Sequence, residues 1–218
     1  MDILKKYLQQ TIEVEISGKK THYGILLEIG SDILVIYNGV DFLYIPNMHI
    51  QKVKQNTEEE IAIDNAADIQ ISDQLSLRKV LTNAKGLFSE IFVTGTQSIH
   101  GYVTSILNDY FVFYSPVYKT MFIPFRHLKW LIPYHDHQTP YSLEKEMLPV
   151  NPSTISVSRT LDVQLEKLIG QIIVIDLAPT TDKIGQLKTI QGKYLELATA
   201  RQDTVYVNLH HIKTIHFQ

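Results

Sequence analysis

Between Thr11 and Ile16 the chain alternates, with Ile12, Val14 and Ile16 separated by Glu13 and Glu15. Period two puts the aliphatic side chains on one face of a strand and the glutamates on the other. Ahead of it, Asp2 stands where a helix N-cap would, and Leu4, Tyr7 and Leu8 share one helical face. Behind it, Ser17-Gly18-Lys19-Lys20 turns the chain into strands predicted at 22–29, 33–37 and 42–46. Asn38-Gly39 supplies the positive-φ positions that a tight hairpin needs. Pro46 ends the fourth strand, because proline has no N–H to give to a ladder. Asn47-Met48 then turns the chain into a fifth strand at Ile50 to Val53.

This order of one helix and five strands is written three times. Leu77, Val80 and Leu81 form the second helix face, followed by strands near Leu87–Val93, Ile99–Ile106, Tyr110–Tyr114, Lys119–Ile123 and Leu128–Ile132. Leu161, Leu165 and Leu168 form the third, followed by strands near Gln171–Leu177, Lys183–Ile190, Tyr194–Leu197, Thr204–Val207 and Ile212–His216. Gly24, Gly101 and Gly185 open the copies, and His49, His127 and His211 close them, 25, 26 and 26 residues later. Between them falls a polar pair, Ser31-Asp32, Asn108-Asp109 or Gly192-Lys193.

A short, bent meander buries one face by curling into a small barrel, which removes most open edges. The expected fold is therefore all-β, with three tandem SH3-type barrels at 1–54, 77–132 and 160–218, each led by a short helix. The connections differ: residues 55–76 carry six acidic and no basic side chains, whereas 133–159 are marked by Pro133, Pro140, Pro149, Pro152 and serines. Copies of this size stand near the lower limit of independent stability, so neighbours are expected to support one another. Joined end to end, they would leave one open edge near Phe42–Ile45 or Ile50–Val53 and another near Thr204–Val207 or Ile212–His216. Val205, Tyr206 and Val207 are the candidate interaction edge.

The chemistry is sparse. The chain has no cysteine, which excludes disulfides, thiolate metal sites and a Cys nucleophile. A net charge of -3 argues against nucleic acid as the main partner, although the acidic stretch leaves the remainder faintly basic. No signal peptide and no membrane-length apolar run is evident, so synthesis in a cytoplasm is expected. The recurrent glycines are read as bends in curved strands, and the recurrent histidines as packed rings bonded to backbone at a strand junction. His135-Asp136-His137 is the densest ligand-like cluster, but no third imidazole stands at metal-binding spacing. No phosphate loop, nucleophile elbow or HExxH pattern occurs, so no catalytic residue, cofactor or metal is assigned, and an enzyme is the least supported class.

A helix followed by five strands in this order resembles the Sm-like barrel, and Phe125-Arg126-His127 resembles the Tyr-Lys-His run with which bacterial Hfq-type proteins touch RNA. Only the second copy has a basic residue before its His, and Gly30, Leu107 and Gln191 stand where Sm motifs carry Asp. A second resemblance covers nearly the whole chain. The glycine followed by Ser31-Asp32 or Asn108-Asp109-Tyr110, and the run Val205-Tyr206-Val207-Asn208-Leu209-His210-His211-Ile212-Lys213-Thr214-Ile215, resemble the N-terminal three-repeat region of the Bacillus spore coat protein B family. That resemblance implies a structural protein of the spore coat or outer spore surface, made in the mother cell. Its expected partners are other coat proteins and, through barrel edges, its own copies; an RNA-binding regulator is the alternative. The phosphorylated Ser/Lys/Arg-rich tail of that family has no counterpart before Gln218.

Overall fold

The structure, a computed structural model, describes residues 2–56, 75–95, 97–135, 140–142 and 156–217. The fold is all-β, with fifteen strands among the described residues in one antiparallel sheet. Most of the stretches expected as linkers, 55–76 and 133–159, lie outside the described residues.

The first set comprises a 3-10 turn (Asp2–Tyr7), β1 (Thr11–Ile16), β2 (Lys20–Ile29), β3 (Ile33–Tyr37), β4 (Phe42–Pro46) and β5 (Ile50–Gln55). The second comprises α1 (Leu77–Asn83), β6 (Phe88–Phe92), β7 (Ile99–Ile106), β8 (Tyr110–Ser115), β9 (Lys119–Pro124) and β10 (Trp130–Pro133). The third comprises α2 (Leu161–Glu166), β11 (Ile172–Ile175), β12 (Ile184–Gln191), β13 (Tyr194–Ala198), β14 (Thr204–Asn208) and β15 (Ile215–Phe217). Within each set the spatial order is the same: fourth, third, second, first, fifth. Three-residue 3-10 turns, Asn47–His49, Phe125–His127 and Leu209–His211, separate the last two strands.

The alternation read from Thr11 to Ile16 is the burial pattern of β1, whose Ile12, Val14 and Ile16 are fully buried. The second strand of each set breaks alternation for a common reason. Its pairing with the third strand shifts register between Leu26 and Glu28, Val103 and Ser105, and Leu187 and Thr189. The extra residue bends the strand and increases its twist.

Three local expectations are corrected. The leading segment is a 3-10 turn rather than an α-helix, tightened by Leu8 N–H donating to the Lys5 carbonyl at 3.2 Å. The first hairpin loop spans Asn38 to Asp41, with Asn38 Oδ1 accepting from the Val40 and Asp41 amides at 2.9 and 2.7 Å. In the third set β11 stops at Ile175 and β15 begins only at Ile215. Asp176, Leu177 and Ala178 all take positive φ there, and the buried Asp176 carboxylate accepts from the Lys213 and Thr214 amides at 2.7 and 3.3 Å. Those amides are thereby diverted from a ladder.

Candidate interaction edges

The recurrent glycines occupy one position. A Cβ on Gly24 would stand 2.6 Å from the Tyr37 carbonyl oxygen, one on Gly185 would stand 2.7 Å from that of Ala198, and one on Gly101 would be closer still to that of Tyr114. Only hydrogen fits where the second strand passes the end of the third.

The sets join edge to edge. β10 pairs with β4 (Leu131 opposite Tyr44), and β15 pairs with β9 (Ile215 opposite Phe122, His216 opposite Met121). Side chains cross both junctions. Ile33 and Tyr44 of the first set pack into the core around α1, while Tyr110, Val112 and Phe122 of the second join the core around α2. In return, Phe92 and Trp130 of the second set, stacked 4.1 Å apart, enter the first core. The polar pair also bridges. Asp32 Oδ1 accepts from the Leu77 amide at 2.7 Å, and Asp109 Oδ1 from the Leu161 amide at 3.0 Å, so each carboxylate caps the next set's helix. The Tyr110 hydroxyl donates to the Ser158 carbonyl at 2.8 Å, and burial pushes its phenol up to about 12.

Two of the three histidines lie on the same seams. Nε2 of His127 donates to the His210 carbonyl at 3.1 Å, and burial pushes the ring down to about 4. Arg126 beside it donates to the Leu209 and His210 carbonyls at 2.9 and 3.2 Å. His49 sits 3.0 Å from Ser17 Oγ through Nδ1, and burial together with nearby Lys129 lowers its pKa. His211, at the same place in the third set, is exposed and meets the His210 ring edge-on at 5.9 Å.

That difference sets the third set apart from the other two. Among the described strands, β14 and β5 each have a neighbour on one side only. Of the candidate edges, β14 and β5 are thus open, and β4 and β15 are taken up by the junctions. Val207 is buried, Val205 is half-buried, and Tyr206 is 65% exposed. The β14 face corresponds to faces that are covered elsewhere. Val35 stands opposite Tyr44, Val112 opposite Phe122, and Glu196 opposite Tyr206. Tyr194, equivalent to the buried Tyr110, is 50% exposed. Together with Thr189 and Gln191 these side chains border an open hollow of about 350 Å³, in which Thr189 Oγ1 donates to Glu196 Oε2 at 2.8 Å.

His135 is exposed and donates through Nε2 to the Val40 carbonyl at 3.0 Å, while Asp136 and His137 lie outside the described residues. Among the described residues no three His, Asp or Glu side chains converge as a metal ion would require, and no helix is long and apolar enough to cross a membrane. Sequence reasoning missed the bridging role of Asp32 and Asp109 and the exposed trio Tyr194, Glu196 and Tyr206. A signal was present: Ile33–Ile36 and Tyr110–Phe113 are unbroken apolar runs, the mark of strands buried on both faces, whereas Glu196 interrupts the third copy.

A family model described as the YwrJ third domain matches residues 160–215. Over 221 residues the chain is 41% identical to Uncharacterized protein YwrJ of Bacillus subtilis (strain 168), an alignment covering 98% of each protein.

Proposed function

The chain belongs to the YwrJ family, and we propose that it is a structural assembly protein of three tandem Sm-like barrels, working through protein–protein contacts at the bacterial spore surface. The repeated strand order and the helical segment leading each set support the barrel reading. One observation carries the assembly reading: fourth-to-fifth-strand pairing joins the three sets and, among the described strands, leaves β14 and β5 with a neighbour on one side only. Such edges template pairing with another chain. The resemblance of Val205 to Ile215 to coat protein B repeats supports the spore surface as the place and other coat proteins as partners. Arg126 and His127, the pair resembling an RNA-touching run, donate to carbonyls of the third set, which supports contact with protein over contact with RNA.

Two measurements test this. A fluorescent fusion followed through sporulation should be made in the mother cell and gather at the spore periphery. Filter binding of the purified chain to RNA at low salt should show no strongly salt-dependent retention. A fusion that stays diffuse through spore release, combined with salt-sensitive RNA binding, would reverse the assignment.

A further inference from the structure

The outer face of the third set differs chemically from the two faces it corresponds to. Ile33 and Tyr44 join the core around α1, with Val35 beside them buried, and Tyr110, Val112 and Phe122 join the core around α2. In the third set the same places hold Tyr194, Glu196 and Tyr206, and the helix-capping carboxylate of Asp32 and Asp109 is replaced by Lys193. A fourth helix would bring its N-terminal amides against a lysine and bury Glu196 under an apolar stripe, and both are unfavourable. Extension by another set of the same kind does not suit this face.

The open β5 edge of a second copy does not suit it either. Carried over from the observed junctions, the register sets Val53 opposite Tyr206 and Lys54 opposite Val205. Lys52 and Lys54 would then point to the side on which Val205 and Val207 belong to an apolar core. On β5 itself Lys54 pairs with Glu13 of β1 at 2.8 Å, on the side away from the core.

What the face does offer is an uncharged edge, Thr204 to Asn208, beside two exposed tyrosines with a carboxylate between them. At the second junction the residue opposite Phe122 is Ile215, whose side chain lies in the same core as Phe122. The residue of an added strand opposite Tyr206 must therefore project over the hollow. We propose that β14 takes up an extended segment of a partner protein by strand addition, with an arginine or lysine opposite Tyr206 entering between Tyr194 and Tyr206 to meet Glu196. Ring faces attract a cation, and Glu196, held through one oxygen by Thr189, supplies the opposite charge. That the partner is a protein rests on the assembly reading above; the cationic requirement rests on the face alone.

The test is selection of a displayed library of seven-residue extended peptides, alternating Thr and Val with a randomised centre, on the immobilised full-length chain. Arginine or lysine should be enriched at the centre about tenfold over aspartate and glutamate. Glu196→Lys should invert the preference and Tyr206→Ala should abolish it, with melting temperatures of both variants within a few degrees of the parent's, because Tyr206 is exposed and the half-buried Glu196 gives up one hydrogen bond, to Thr189. A charge preference at the centre that survives Glu196→Lys, the absence of any cationic enrichment on the parent, or a concentration-dependent dimer of the parent lost in Tyr206→Ala would each overturn the proposal. Enrichment without spore localisation overturns only the assembly reading, and localisation without enrichment overturns only this one.

Discussion

Asp109→Ala should destabilise the third set through a hydrogen bond made by the second. Asp109 Oδ1 is the side-chain acceptor for the first amide of α2, since the N-cap residue Thr160 makes no side-chain cap bond. Loss of such a cap costs roughly 1 kcal/mol, and removal of a negative charge from the positive end of the helix dipole adds roughly 0.5. The sum, about 1.5 kcal/mol, lowers the melting temperature of a chain of this size by about 3–6 °C. Asp32→Ala should cost less, about 1 kcal/mol, because Ser76 still accepts from the Lys79 amide at 3.3 Å in α1. Asp109→Asn retains an acceptor oxygen and should recover most of the loss. Lys193 caps neither α1 nor α2, so Lys193→Ala should stay within about 0.5 kcal/mol of the parent. Calorimetry and urea midpoints on the four variants decide the matter. If Asp109→Ala melts with the parent, or Lys193→Ala falls as far, the carboxylates do not hold successive sets together.

Gly101→Ala should cost about 3 kcal/mol, seen as a lower urea midpoint at unchanged slope, because its Cβ collides with the Tyr114 carbonyl; an unshifted midpoint would refute the close approach. Stability should also fall with acid at the second seam. His127 is held neutral with its pKa pushed down to about 4, against 6.5 in the unfolded chain, so the unfolded state binds more protons between those values. Its contribution is intact above pH 6.5 and declines as pH falls toward 4. His127→Gln, which can still donate to the His210 carbonyl, should flatten the urea midpoint across that window, and an unchanged slope would assign the effect to other groups. Tyr110→Phe leaves the Ser158 carbonyl without its donor and should cost about 1–2 kcal/mol by thermal melting.

What local pattern could supply was legible. Alternation at Ile12, Val14 and Ile16 marked a strand, and Leu77, Val80 and Leu81, like Leu161, Leu165 and Leu168, are the buried stripes the helical spacing indicated. The period of 77 and then 84 residues exposed the threefold organisation, because each copy repeats the same glycine and histidine. Partnership across the seams was hidden. Asp32 and Asp109 look like ordinary turn residues, since nothing local says that the amide they serve lies 45 or 52 residues on. The Asp176 turn was obscured for a related reason: Ile172 to Leu177 carries strand-forming residues, and a carboxylate binding Lys213 and Thr214 overrides that preference.

The direction of the seams gives synthesis a consequence. Each outer face is covered by the set that follows it in the chain, so the first set leaves the ribosome with Ile33 and Tyr44 bare until α1 and β10 arrive. The second likewise waits for α2 and β15 to shelter Tyr110, Val112 and Phe122. Folding is thereby vectorial, and a ribosome stalled after residue 135 would hold a chain whose sticky face has no cover. Such truncated products should be the species that chaperones retain, while a chain whose outermost face bears Glu196 and two hydroxyls is released.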